Sequence, residues 1–272
     1  MPFEGSALLE IRDKLMACPP DEAWLVTTGS LTNAVQLFTT FPEVAHHIRG
    51  LSIMGGAIGS DFTQANLGRP FKNEHDQLQD RIGNYTPYAE FNIWVDTLAS
   101  SHIFSNPILH KKTTLVTLDL SHQVLATAPV QEMILHGRSK AETEDRPVPS
   151  RLRSMFHQLL VFFSNTYSDV FGFSDGPPLH DPLAVAILLP DLQVYRTDGK
   201  HAEYQEEERF MITIQTTGQR SGQTVLSICA DGNGVKIPRS IDVKGFWHQI
   251  DDCLERASEH LESGNLSLNK KS

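Results

Sequence analysis

The sequence is poor in cysteine, has no long apolar run, and carries too few basic residues to balance its acids. Three cysteines, Cys18, Cys229 and Cys253, are scattered through 272 residues without a CxxC pair. An odd count so spaced argues against a disulfide framework and a structural zinc site, and fits a reducing compartment. No apolar stretch nears the roughly 20 residues needed to span a bilayer. The longest, Leu159–Phe163 and Leu183–Leu189, are the size of core segments. The start, MPFEGSALLEIRDKL, has early acids and no apolar h-region, so it does not read as a signal peptide. A cytoplasmic protein off the membrane is expected. The formal net charge of −10 argues against a nucleic-acid partner, which needs clustered Lys and Arg. Lys111-Lys112 and the Arg151, Arg153 pair are short clusters that read as solvated faces.

What is present alternates. Leu8, Ile11, Leu15 and Met16 have helical spacing over Ala7 to Met16, and Pro19-Pro20 ends that helix. Ala23 to Thr27 reads as a strand, Leu31 to Phe41 as a helix, and Leu51 to Met54 as a second strand running into Gly55-Gly56. Strand, glycine turn and helix in this order predict an open α/β fold, a mostly parallel sheet flanked by helices. Ligands in such sheets bind at the carboxyl ends of strands. Residues 57–85 are polar and read as a loop or surface insertion. Further helices are expected at Glu90–Ser100, Val130–His136, Leu152–Tyr167 and Ile241–Leu261, and a strand at Thr114–Leu120. Asp181–Leu189 is apolar enough for a buried helix. Phe210–Ile214 and Thr224–Cys229 read as a hairpin turning at Gly218–Gly222, and Ser139–Pro149 as an exposed linker. Nothing marks a domain boundary. Residues 1–262 therefore read as one domain, incomplete at its N-terminus, and 263–272 as a disordered tail.

Few residues stand out chemically. Asn84, Glu90 and Asn92 offer donors and acceptors suited to a hydroxyl-rich ligand, though residues of these types near a turn also cap helices. His180-Asp181 opens the apolar helix; Asp fits an N-cap, and His fits a proton donor or a metal neighbour. Thr28 and Met54 lie at strand ends, where ordinary strand-to-helix turns also occur.

Taken together and in order, these stretches resemble the inosine–uridine-preferring nucleoside hydrolases. The matching segments are TTGSLTN (Thr27–Asn33), IMGGAIG (Ile53–Gly59), GNYTPYAEFNIWVD (Gly83–Asp96), TLDLSHQVLAT (Thr117–Thr127) and PLHDPLAVAILL (Pro178–Leu189). The resemblance runs from about Ser6 to Leu261. It implies hydrolysis of the N-glycosidic bond of ribonucleosides to base and ribose, in nucleoside salvage. It also implies a calcium cofactor and a homo-oligomer. Carried over residue by residue, it makes Thr28 (through its carbonyl) and Asp181 calcium ligands. Asn84, Glu90 and Asn92 become ribose ligands, Met54 a wall of the sugar pocket, and His180 the catalytic group beside the leaving base, which it would protonate. Calcium favours such hard oxygens, and cleavage through an oxocarbenium-like sugar is eased by nearby carboxylates.

The resemblance also has gaps. The family's first motif, DxDxxxDD, is not found; Asp13, Asp21, Asp61, Asp76 and Asp80 are isolated, and the one adjacent pair is Asp251-Asp252. The chain therefore reads as an N-terminally truncated member, its first strands missing and a sheet edge exposed. The alternative is a catalytically inactive, nucleoside hydrolase-like binding protein. Ser60 to Ile82 lengthens the loop before Asn84, and Thr97-Leu98-Ala99-Ser100 departs from the family's usual Pro-Glu-Ala-Ala.

Overall fold

The computed structural model describes residues 6–138, 148–190, 194–195, 208–229 and 232–269. The strands, in chain order, are β1 (Trp24–Thr27), β2 (Gly50–Met54), β3 (Phe71–Lys72), β4 (Leu78–Gln79) and β5 (Thr113–Val116). They continue as β6 (Val194–Tyr195), β7 (Arg209–Ile214), β8 (Thr224–Ile228), β9 (Val235–Lys236) and β10 (Ser240–Ile241). The main sheet is six-stranded, in the order β1-β2-β5-β9-β7-β8. β1, β2, β5 and β9 pair in parallel, while β7 is antiparallel to β9 and β8. The expected open, mostly parallel sheet flanked by helices is therefore the observed one. Among the described residues β1 has a neighbour on one side only, so it forms an edge.

Burial follows the pattern of each strand. β2 and β5 are buried at every position, as a parallel strand covered on both faces must be. β7 alternates, burying Phe210, Ile212 and Ile214 and exposing Met211. Register explains one glycine: Trp24 lies opposite Gly50, and a Cβ there would come within 2.1 Å of the indole ring.

The described residues sort into two compact units, a division that no change in composition marks. The first comprises residues 1–123 and 180–241 and contains the main sheet. Its core joins Leu31, at the N-cap of the helix Thr32–Thr40, and Leu37 and Phe38 of that helix to Leu51, Ile53, Leu115 and the inward face of β7. The second comprises 124–179 and 242–272. It holds the helices Ala128–His136, Arg151–Phe171 and Val243–Asn269. There Arg153 is buried, against the solvated face expected of it. Its guanidinium donates to the Ile134 carbonyl at 2.8 Å, Asp251 Oδ1 at 2.8 Å and Glu255 Oε2 at 2.9 Å. Arg138 adds a bond to Asp251 Oδ2 at 3.2 Å. A fixed guanidinium fork satisfied on each side explains how this charge is tolerated inside.

Several boundaries differ from expectation. The predicted helix Glu90–Ser100 is two helices, Phe91–Val95 and Thr97–Phe104. Asp96 breaks them by capping the second, with Oδ1 accepting from the Ala99 N–H at 2.9 Å. The predicted strand Thr114–Leu120 stops at Val116, and Leu118–Ser121 is helical. Val185 and Leu189 are exposed, so the Asp181–Ala186 helix is buried on one side only. The stretch 57–85 contains the β3–β4 hairpin. The last helix takes in residues 263–269 of the segment expected to be disordered. Most of the linker, 139–147, and residues 270–272 lie outside the described residues. No described helix is long and apolar enough to cross a membrane.

Candidate functional site

The carboxyl ends of β1, β2 and β5 lie at one end of the sheet, since the three run parallel. There Thr28, Gly55-Gly56 and Thr117 to Asp119 leave the strands. The register pairs Thr27 with Ile53, so exposed Thr28 stands level with Met54.

Glu90 is the best-held residue at this end. It caps the helix Phe91–Val95: Oε1 accepts from Asn92 N–H at 2.9 Å, and Oε2 from Ile93 N–H at 3.1 Å and Gly56 N–H at 2.9 Å. The carboxylate thus ties the helix start to the glycine turn after β2. It is 2% exposed, and burial raises its pKa above the ordinary 4.5 despite those amides; the charge of Asp181 pushes the same way. Asn92 is buried beside it and donates from Nδ2 to the Met54 carbonyl at 3.1 Å and to Met54 Sδ at 3.3 Å. Met54 packs with Ala57, Leu67, Leu118 and Ala184.

Asn84 closes the preceding turn, its Oδ1 accepting from Phe91 N–H at 3.0 Å. That turn needs glycine at position 83, where a Cβ would lie 2.2 Å from the Ala89 carbonyl oxygen. Asp181 begins the helix Asp181–Ala186, which packs on β1, β2 and β5 and accepts a 2.6 Å bond from Ser52 Oγ at the Ala184 carbonyl. Asp181 is exposed, yet partial desolvation raises its carboxyl above the usual range. His180 Nδ1 is 2.8 Å from Ser121 Oγ. Burial, then the neighbouring His122, lowers its pKa to about 3, so the imidazole is neutral at pH 7.

The structure therefore links Glu90 and Met54 through hydrogen bonds of Asn92, and sets Asp181 near enough to Glu90 to influence it. Sequence reasoning passed over three residues of the TLDLSHQ stretch. Asp119 is fully buried and accepts from Ile58 N–H and Gly59 N–H, both at 2.8 Å. Ser121 holds His180, and the His122 ring lies 5.5 Å from that of His180, centre to centre. Their one sequence signal was position, directly after a buried parallel strand.

A family model described as inosine-uridine preferring nucleoside hydrolase matches residues 3–248. The chain belongs to this family. It is 31% identical over 245 residues to a uridine nucleosidase of Saccharomyces cerevisiae, covering 88% of this chain and 62% of the relative. It is 30% identical over 264 residues to a non-specific ribonucleoside hydrolase of Escherichia fergusonii, covering 94% and 68%. Among solved structures it resembles a purine-preferring ribonucleoside hydrolase from Gardnerella vaginalis, with TM-score 0.66, 19% identity, and coverage of 93% and 67%. A plant nucleoside hydrolase gives TM-score 0.63 at 21% identity, with coverage of 93% and 68%. These two likenesses bear on the fold. The chain spans 60 to 62% of the length of three of the curated relatives it matches.

Calcium, which the family resemblance implies, takes about six to eight oxygens. The Thr28 carbonyl and the Asp181 carboxylate are two. Glu90 and Asp119 already hold backbone amides. Among the described residues no group of three or more His, Cys, Asp or Glu could hold a metal. The residues present do not by themselves fit a nucleoside hydrolase calcium centre.

Proposed function

We propose that the protein acts on ribonucleosides as an N-glycosidic hydrolase, and that these residues supply the sugar- and base-binding side of its site. The observation that carries the reading is the Met54–Glu90–Asn92 cluster at the carboxyl end of β2, in a chain of this family. Glu90 uses three acceptor positions on backbone amides, and a carboxylate has about four. The remaining capacity suits one ribose hydroxyl. Asn92 spends Nδ2 on Met54, which leaves Oδ1 as the acceptor for another. Asn84 would add its amide at the rim, and Thr28 and Asp181 would be two oxygens of a calcium site.

In the reaction water adds to C1′ as the C1′–N bond breaks, and the base keeps the bonding pair and takes up a proton. A neutral His180 does not hold that proton in advance. Its role here is to hydrogen-bond the departing base from a desolvated ring, with Ser121 fixing one nitrogen.

A second reading, nucleoside binding without turnover, is favoured by the two-oxygen calcium set. One experiment separates the two: titrate inosine and uridine by calorimetry and assay ribose release, each with and without calcium. Binding with release supports hydrolysis; binding alone supports the second reading; neither sinks both. Two further expectations stay proposals. A cytoplasmic setting is supported by an odd count of three scattered cysteines with no CxxC pair. Self-association is supported by the exposed Phe162 and Phe163 on the helix Arg151–Phe171.

A further inference from the structure

The connection between β2 and the helix Phe91–Val95 is long, and it buries Phe62, Thr63 and Leu67 while Asn66 is exposed. Ala65 and Leu67 pack with Met54, Ala57, Leu118 and Ala184. Between them the Asn66 main-chain carbonyl lies 2.8 Å from His122 Nδ1. The run is held from several sides. Gly59 abuts Ile82 so closely that a Cβ would come within 2.1 Å of it, so the two ends of the excursion meet. The Asp119 carboxylate holds the Ile58 and Gly59 amides, and its carbonyl accepts from Thr63 Oγ1 at 3.3 Å. Phe62 lies under the Arg239 guanidinium at 4.0 Å and edge-on to Phe210 at 5.8 Å.

A carbonyl only accepts, so the ring nitrogen facing Asn66 carries a hydrogen. Burial keeps His122 neutral at pH 7, its pKa lowered to about 4. A neutral imidazole has one N–H, which leaves Nε2 with the lone pair. The ring is tilted 52° to that of His180 at 5.5 Å.

We propose that Ala65-Asn66-Leu67 is a positioning element for the base side of the site: the Asn66 carbonyl fixes His122 as the Nδ1–H tautomer, and His122 sets the orientation of His180. The consequence for nucleosides rests on the function proposed above; the tautomer does not. His122 is a positioning residue, acting through His180 and touching no substrate.

The test begins with long-range 1H–15N correlation spectra of the whole chain, which distinguish protonated from bare ring nitrogens. His122 with Nδ1–H and a bare Nε2 is the expected result, and Nε2–H overturns the proposal. Side-chain geometry supplies a rescue pair. An asparagine amide nitrogen falls near the Nδ1 position, and a glutamine amide nitrogen near Nε2. H122Q leaves the Asn66 carbonyl unsatisfied, shifts the His180 ring signals, and weakens inosine and uridine binding roughly tenfold. H122N restores the donor and recovers most of that loss. Equal effects of the two variants overturn the proposal. Urea midpoints check folding. Should H122Q not fold, Leu67→Ala loosens the run while sparing both histidines, and the expected result is a mixed His122 tautomer. An unchanged spectrum in that variant overturns the proposal. If the wild type binds neither nucleoside, the function reading fails and the spectra alone decide the tautomer.

Discussion

Removing the Asp119 carboxylate should destabilise the fold by about 2–4 kcal/mol. Asp119→Ala strands the Ile58 and Gly59 amides, each now bonded at 2.8 Å. A buried donor left unsatisfied costs about 1–3 kcal/mol, so two cost about 2–6. Part of that is offset, because a buried carboxylate is itself desolvated, as its raised pKa records. Against a typical total stability of about 5–15 kcal/mol, the remainder is large. Urea unfolding at pH 7 measures it as a lower midpoint at unchanged slope. A shift below about 0.5 kcal/mol, the scale of a neutral surface change, would refute the reasoning. Asp119→Asn then tests the sign. Burial raises the folded pKa above the ordinary 3.8, so the native state holds the proton more tightly than the unfolded chain. That contribution is complete below the ordinary value and is lost as pH rises through the folded one. Wild type should gain on Asp119→Asn as pH falls from 7 toward about 4. The opposite slope would mean that the amides, not burial, govern the group.

Arg153→Ala should cost about 3–5 kcal/mol, because it leaves Asp251 and Glu255 without their buried partner; a thermal melt reads it, and a melting point within error of wild type counts against it. Gly83→Ala forces a Cβ to 2.2 Å from a backbone oxygen, so the turn must open at about 1–3 kcal/mol; inosine affinity should fall with stability in parallel titrations. Glu90→Gln puts an NH2 against at least one backbone N–H, at about 1–3 kcal/mol; denaturation checks this, and a stabilised variant would mean the buried charge costs more than its bonds return. Asp181→Ala should change stability by under about 0.5 kcal/mol, since the residue is exposed, while removing any calcium-dependent rise in inosine affinity seen by calorimetry.

Much of the first unit was legible because its signals are local. The apolar run in β2, the glycines after it and the alternation in β7 each state a burial pattern within a few residues. The break at Asp96 was legible in principle, since Asp is a strong cap, but helix periodicity on either side masked it. Arg153 was misread for a different reason. Its partners Asp251 and Glu255 lie about a hundred residues on, and no local pattern reports a distant counter-charge. The same holds for Asp119 and His122. Their meaning depends on Ile58, Gly59 and Asn66, which belong to a polar stretch that composition alone assigns to the surface.

Glu90 shows why a capping reading and a binding reading of one motif need not compete. A carboxylate free in a pocket would keep many rotamers and would be drawn to any nearby cation. Three amides from two chain segments remove that freedom and set both oxygens before a ligand arrives. Burial raises the pKa of the group, and the three amides act in the opposite direction. The result is an acceptor of fixed direction. A sugar hydroxyl can use such a group without an ordering cost at the moment of binding. The cap thus fixes the carboxylate in advance, and under the proposed function the same Glu90 side chain would serve as both helix cap and sugar acceptor.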